Sequence, residues 1–220
     1  MTDTVGHYNR NAARYVAGTA GVALSALRER FLSQILAGGF ILDDGCGSGR
    51  DSLAFLERGY HVRAFDAAPE LARLAAERIG QPMQVQYLDE LDGRAAYRCI
   101  WACASLLHLS AAEIPGTLHR LSGTLKPAGA LHLSLQQGDG ERVDAEGRHS
   151  TDATEARLRD WLTALPEVAD TECWLTSDER PDRSETWLNG LMRRTAKCSA
   201  EPGWNQNNAA PAEKVPVSER

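Results

Sequence analysis

The chain has 220 residues, 43% hydrophobic and 25% charged, enough apolar material for the core of one α/β domain with terminal additions. A formal charge of −6 speaks against a polyanion as the bulk partner, so nucleic acid is disfavoured as a ligand. No apolar run approaches the length of a membrane span and MTDTVGHYNR lacks a signal-peptide core, so the expectation is a cytoplasmic protein without a membrane partner.

Residues 1–19 are polar, and Tyr8 and Tyr15 fall on one face if this segment is helical. From Val22 the pattern turns amphipathic, with Leu24, Leu27, Phe31 and Ile35 at helical spacing and Gly38-Gly39 as a stop. This N-terminal cap, residues 1–37, precedes the first strand and has to pack outside the main sheet. It either closes over a ligand or serves as a buttress.

Phe40–Asp51 reads FILDDGCGSGRD: three apolar residues for a buried strand, two acids, then Gly45, Gly47 and Gly49, with a helical pattern from about Ser48. A strand that runs through a glycine turn into a helix N-terminus lets backbone amides approach a nucleotide-like ligand. A dinucleotide fingerprint wants a small residue three positions after Gly47, and Arg50 stands there. The helix continues through Ser52–Arg58, and YHVRAFD (Tyr60–Asp66) alternates as a second strand. Asp66 closes it about 20 residues after the first glycine, where a β-α-β nucleotide-binding unit places its ribose-binding acid. The competing role for Asp66 is to cap the helix that Pro69 begins.

Glu70–Ile79 is helical, and MQVQYL (Met83–Leu88) reads as a third strand. Asp89 and Glu90 follow; either can accept from an adenine amino group, or both simply face water. Tyr97–Leu109 is the fourth strand and its exit, Ile114–Leu125 a helix, and ALHLSL (Ala130–Leu135) the fifth strand. Gln137–Ala153 is a long polar connection leaving the carboxyl end of a parallel strand, with Glu141, Arg142 and Arg148 as candidate substrate contacts. A helix with Leu158, Trp161, Leu162 and Leu165 inward comes next. The stretches Ala169–Thr176 and Glu185–Arg193 are joined by too few residues for a parallel crossover, which predicts an antiparallel pair. From Ala196 the periodicity stops, and residues 196–220 read as a disordered tail. Five cysteines without CxxC spacing and six scattered histidines predict neither disulfides nor a structural metal.

Four stretches stand in order: ILDDGCGSG, AFDAAPE, IWACASLLHL and LKPAGALHLS. Together they resemble the successive motifs of class I S-adenosylmethionine (SAM)-dependent methyltransferases, over roughly Tyr8–Arg194. GRDSLAFLERGYHVRAFD is further similar in style to tellurite-resistance-type bacterial small-molecule methyltransferases. The resemblance implies an α/β fold in residues 38–195. This is a Rossmann-like doubly wound sheet of about seven strands, mostly parallel with an antiparallel final strand. It implies SAM as cofactor and a small-molecule methyl acceptor, whose identity the sequence does not give; nor does it give the oligomeric state.

By position, the resemblance implies that Asp43 anchors the turn and that Gly45, Cys46 and Gly47 contact SAM through backbone. Asp66, followed by Ala67, takes the ribose. Asp89 or Glu90, with Leu91, frames the adenine, and Cys103 and Ala104 sit beneath the amine. Tyr8 and Tyr15 close the site, and Arg50 and Asp51 reach toward the methionine end. The departures are LKPAG in place of LKPGG, YRC (Tyr97–Cys99) where an acid often follows the tyrosine, and Asp44, which adds negative charge near a sulfonium.

His108 is the candidate catalytic base, needed only if the acceptor must lose a proton; the competing reading is a structural histidine. Cys46 and Cys103 point only weakly to a thiophilic metalloid acceptor, because small residues are wanted at both positions for packing. Two further readings stay open. An NAD-dependent oxidoreductase agrees with Asp66 but not with Arg50 and the placement of Gly49. A SAM-binding regulatory protein without turnover would use the same cofactor residues.

Overall fold

The computed structural model describes residues 3–35, 37–91, 95–180 and 183–196. The expected tail from residue 197 onward, with Cys198, lies outside the described residues. The strands are β1 (Phe40–Asp44), β2 (His61–Asp66), β3 (Gln84–Val85), β4 (Tyr97–Cys103), β5 (Leu125–Gln137), β6 (Gly140–Val143), β7 (His149–Ala153), β8 (Val168–Ser177) and β9 (Thr186–Arg194). The helices are α1 (Thr4–Arg10), α2 (Ala12–Thr19), α3 (Ser25–Leu32), α4 (Arg50–Glu57), α5 (Pro69–Ile79), α6 (Ile114–Thr124) and α7 (Glu155–Thr163). None of these described helices is long and apolar enough to cross a membrane.

β3, β2, β1, β4 and β5 lie side by side and parallel. β9 joins β5 antiparallel, and β8 pairs antiparallel with β9 as the edge. This is the expected fold, with the final strand lying inside the edge strand that precedes it. Alternation along the strands builds a core on each face. Leu42, Ile100, Leu131 and Leu133 face α6 and α7, whereas Ile41, Cys99, Trp101 and Ala130 meet Phe31 of α3 and Phe55 of α4. The chain reverses direction across the sheet between β1 and β4, so the loops leaving their carboxyl ends diverge and open a crevice.

Three segments differ from the sequence reading. The polar segment 1–19 forms two short helices, α1 and α2, and the amphipathic helix expected from Val22 is shortened to α3 (Ser25–Leu32). The Thr19 hydroxyl donates back to the Tyr15 carbonyl at 2.7 Å, and Gly18 and Gly21 weaken continuation. The third strand shrinks to Gln84–Val85, both exposed, because the Glu90 carboxylate accepts the Tyr87 N–H at 2.8 Å and draws Leu88–Glu90 into a 3₁₀ turn. The polar connection 137–153 is a β6–β7 hairpin: the Asp144 carboxylate accepts from the Glu146 and Arg148 amides, making a turn that polarity alone disguises as loop. The tip reaches α1, where Asp3 N–H donates to the Gly147 carbonyl and His149 N–H to the Thr4 hydroxyl.

α3 is held by aromatic packing. Phe31, 1% exposed, lies with its ring centroid 5.0 Å from Trp101 and 5.9 Å from Phe55. Phe31→Ala is expected to cost about 3–5 kcal/mol, as for other buried aromatics cut to alanine, and to lower the midpoint of urea unfolding; a change within about 0.5 kcal/mol, the scale of a surface substitution, would show α3 is not part of the cooperative core.

Candidate functional site

The turn after β1 is built from three left-handed residues, Gly45 (φ 67°), Gly47 (φ 55°) and Gly49 (φ 70°). Two of them also sit where no side chain fits. A Cβ on Gly45 would lie 2.7 Å from the Ser105 Cβ, and one on Gly47 would meet the Tyr15 ring at 3.0 Å. Asp66, at the end of β2, braces the turn: its Oδ2 accepts the Gly47 N–H and its Oδ1 the Ala68 N–H, both at 2.9 Å. Each oxygen keeps a lone pair for a further donor. Burial pushes the Asp66 carboxyl up, against the pull of those two amides.

Beneath the turn, three further carboxyl groups crowd together. Asp43 is 2% exposed and accepts from the Ser52 hydroxyl at 2.5 Å; burial, with Asp51 nearby, pushes its pKa up to about 8. Asp44 accepts from the Ser105 hydroxyl at 3.1 Å, and burial pushes it up to about 7. Asp51 behaves oppositely. Burial disfavours its charge, yet Arg50 and Arg28 outweigh that and hold it below the usual carboxylate range. Its Oδ1 accepts from Arg28 Nη1 (2.7 Å) and Arg50 Nε (3.1 Å), and its Oδ2 from Arg50 Nη2 (2.7 Å) and the Trp101 indole (3.1 Å).

Two cavities open from this core. The turn cavity, about 290 Å³, lies over Gly45, Gly47, Asp66 and Ala67 and runs out past Gln86, Tyr87 and Leu88. The link cavity, about 280 Å³, is bounded by the α2–α3 connection, the hairpin and the β8–β9 link, and it takes in Arg50 and Cys103. Tyr8, Tyr15, Ala104 and His108 line both cavities and form the wall between them. Tyr8 and Tyr15 meet edge to face with centroids 5.2 Å apart. The Tyr8 hydroxyl is 2.8 Å from His108 Nε2, and His108 Nδ1 is 2.7 Å from the His149 carbonyl. A carbonyl only accepts, so Nδ1 carries the proton and Nε2 receives the Tyr8 O–H. Burial pushes His108 down to about 4, leaving a neutral ring.

Of the residues singled out from sequence, Asp44, Gly45, Gly47, Asp66, Ala67, Tyr8, Tyr15, Ala104 and His108 line the turn cavity. Arg50 and Cys103 line only the link cavity. Asp43, Cys46 and Asp51 are buried and line neither; Cys46 packs against Ala64 and Ala75. Cys46 and Cys103 therefore do not face a common space, and burial keeps both thiols protonated, Cys103 up to about 12. Asp89 and Glu90 are exposed and Leu91 is in the core, so the acid placed beside the adenine does not line the cavity. The strand ends at Val85, three residues before the expected Leu88, and the chain turns away there. Gln86, Tyr87 and Leu88 stand in that place, legible only as the residues immediately after a shortened strand. Arg142 and Arg148 line the link cavity; Glu141 instead accepts the Ala111 N–H at 3.1 Å. The β8–β9 link, which supplies Asp178, Arg180 and Arg183, carried no motif to mark it.

Residues 41–129 match a family described as a methyltransferase domain. An O-methyltransferase of ubiquinone biosynthesis from Xylella fastidiosa (strain 9a5c) is 32% identical over 123 residues, 51% of this chain. The match spans 48% of that protein, about half its length. The 1,6-didemethyltoxoflavin N1-methyltransferase of Burkholderia thailandensis, solved with 1,6-didemethyltoxoflavin and S-adenosylhomocysteine, superposes with a TM-score of 0.68 at 26% identity. That similarity covers 87% of this chain and 85% of that one. The [4+2]-cyclase SpnF shares the fold, with a TM-score of 0.67 at 15% identity over 87% of this chain and 95% of its own.

Asp43 makes the site's pH dependence measurable. Its folded pKa is raised from 3.8 to about 8, so the stability it lends is complete below the lower value and is lost as pH rises toward the upper one. Asp43→Asn has no such proton to lose. Its stability relative to wild type is expected to rise between pH 5 and pH 8, by up to ~1.4 kcal/mol per pH unit, the limit for one proton. Urea unfolding at several pH values reads this, and parallel curves for the two proteins would contradict it.

Proposed function

We propose that this chain is a SAM-dependent methyltransferase acting on a small-molecule acceptor, with SAM in the turn cavity and the acceptor in the link cavity. One observation carries the reading. The turn cavity contains two carboxyl groups, Asp44 and Asp66, and no lysine or arginine among its lining residues, and it shares a wall with a second cavity. A pyrophosphate would meet acids there and no cation, which disfavours NAD; a sulfonium and an ammonium would favour the ionised form of both buried acids. The remaining lining suits an adenosine. Asp66 offers lone pairs for a ribose diol, and Phe65, Leu71, Leu88 and Leu106 offer apolar faces for a purine, with Gln86 nearby for its polar edge.

When bound, SAM supplies an electrophilic methyl group. The protein's contribution is placement. Gly45 and Gly47 bring backbone close to the cofactor's methionine end, and Asp43, with Cys46 packed beside the turn, supports that backbone from below. Tyr8 and Tyr15 cover the turn and exclude water. The shared wall, with Ala104 and Cys103 at the end of β4, sets the acceptor's reacting atom against the cofactor, the arrangement in which most of the rate gain of a displacement resides. His108 holds Tyr8 through Nε2 and is itself held by the His149 carbonyl. Its first role is therefore to position Tyr8; an acceptor hydroxyl reaches its lone pair only by displacing that phenol.

The run GRDSLAFLERGYHVRAFD supports a place among bacterial small-molecule methyltransferases of the tellurite-resistance style, and a cytoplasmic location belongs to the same proposal. The cap, residues 1–37, and the domain, residues 38–195, act as one unit in this reading because both cavities need walls from each.

Calorimetric titration tests the assignment. S-adenosylhomocysteine is expected to bind and NADH not to, and Asp66→Ala is expected to weaken the former by about 1–3 kcal/mol, the loss of a charged hydrogen-bonding partner. Binding of NADH alone would overturn the reading. Transfer of a labelled methyl group from SAM into a metabolite extract then separates an enzyme from a binding protein without turnover.

A further inference from the structure

The link cavity has a chemical character that narrows its ligand. Two of its arginines are clamped from behind in the same way. Arg50 grips Asp51 side-on through Nε and Nη2, and Arg180 grips Asp178 through Nε (2.8 Å) and Nη2. In both, Nη1 has no hydrogen-bond partner among the described residues. Both side chains are largely covered, at 18% and 28% exposure, and both interact electrostatically with Tyr15 at the shared wall. Asp178 is a built pedestal: its side chain is 3% exposed and also accepts the Arg180 amide (2.9 Å) and the Trp187 indole (3.0 Å).

The cavity's acids are otherwise engaged or turned to water. Asp178 is committed to Arg180, Glu185 pairs with Arg183 at 3.2 Å, and Glu179 is exposed. A neutral ligand would leave two covered guanidinium edges without acceptors, and a cation would be repelled by them. A planar oxyanion matches the fork that each presents. The other side of the cavity is apolar, lined by Val22, Leu24 and Leu27, with Trp187 adding an aromatic face.

We propose that the acceptor is a small carboxylic acid with an apolar, aromatic body. Its carboxylate is held by Arg50 and Arg180, and its body lies against Leu24, Leu27 and Trp187. Asp178 is a positioning residue that aims Arg180. This inference rests on the assignment of the link cavity to the acceptor. The same guanidiniums have one other source of carboxylate within reach, the cofactor's own aminoacyl group, and the experiment separates the two.

The full-length protein, saturated with S-adenosylhomocysteine, is titrated calorimetrically with benzoate and salicylate and with their amides. At least one acid is expected to bind about tenfold or more tightly than its amide, the scale of a charge-assisted hydrogen bond. Arg180→Met should abolish that preference with the affinity for S-adenosylhomocysteine unchanged, which also certifies its fold, and Arg180→Lys should restore part of it. The proposal is overturned if no acid binds, if acid and amide bind alike, or if the preference survives Arg180→Met. It is equally overturned if Arg180→Met weakens S-adenosylhomocysteine but not methylthioadenosine, which lacks the aminoacyl carboxylate; the anion served is then the cofactor's. Failure of the wild type to bind S-adenosylhomocysteine would instead remove the parent reading, and this one with it.

Discussion

Asp51 accepts hydrogen bonds from Arg28 of α3, Arg50 of α4 and the Trp101 indole of β4, and the site depends on this carboxylate staying ionised while buried. Desolvation alone would favour its neutral form; two guanidiniums reverse the balance. Such a cluster is weak evidence for net stability, since the removal of three charges from water offsets much of their attraction. Its consequence here is geometric. One end seats the N-terminal cap on the sheet, and the other fixes Arg50 at the edge of the link cavity. The neighbouring carboxyls Asp43, Asp44 and Asp66 are all raised, by burial first, with repulsion from Asp51 and Asp44 added at Asp43 and from Asp66 at Asp44.

The wall between the cavities follows from the same arrangement. With α3 seated by Arg28 and Phe31, α1 and α2 lie across α5, and Asn9 accepts the Glu70 N–H that α5 leaves uncapped. That places Tyr15 over Gly47 and Tyr8 against His108. The hairpin closes the far side, through the His149 carbonyl that sets the His108 tautomer. A residue picked from sequence as a possible base is thus fixed in one tautomer by Tyr8 of α1 and the His149 carbonyl of β7, while burial keeps its ring neutral. The cyclase SpnF, with a TM-score of 0.67, shows that this fold does not by itself dictate methyl transfer. What distinguishes this chain's site is the pair of acids in the turn cavity and the second cavity beside it.

Much of the architecture was legible because it is written locally. Alternation in β1, β4 and β5 records burial on two faces, helical spacing in α5 and α6 records one, and three glycines at positive φ mark the turn. The antiparallel end of the sheet followed from the length of a single link. Asp66 was legible for the same reason: its distance from the turn is set by one β-α-β unit.

What the sequence by itself determined is therefore the α/β sheet, the glycine turn, and the acid at the end of β2, each a matter of near-neighbour geometry. Tertiary structure alone decided the rest. It shortened the helix expected from Val22 so that Leu24 lines a cavity and Leu27 borders both that cavity and the core, folded 137–153 into a hairpin, and bent the chain after Val85 so that Gln86–Leu88 line the cavity where Asp89 and Glu90 were expected. It also joined Asp178, Arg180 and Trp187 to Arg50 across the whole domain. The physical reason is common to all four. Which face of a short polar segment turns inward is set by partners far away in the chain, and a polar segment carries no periodicity to announce it.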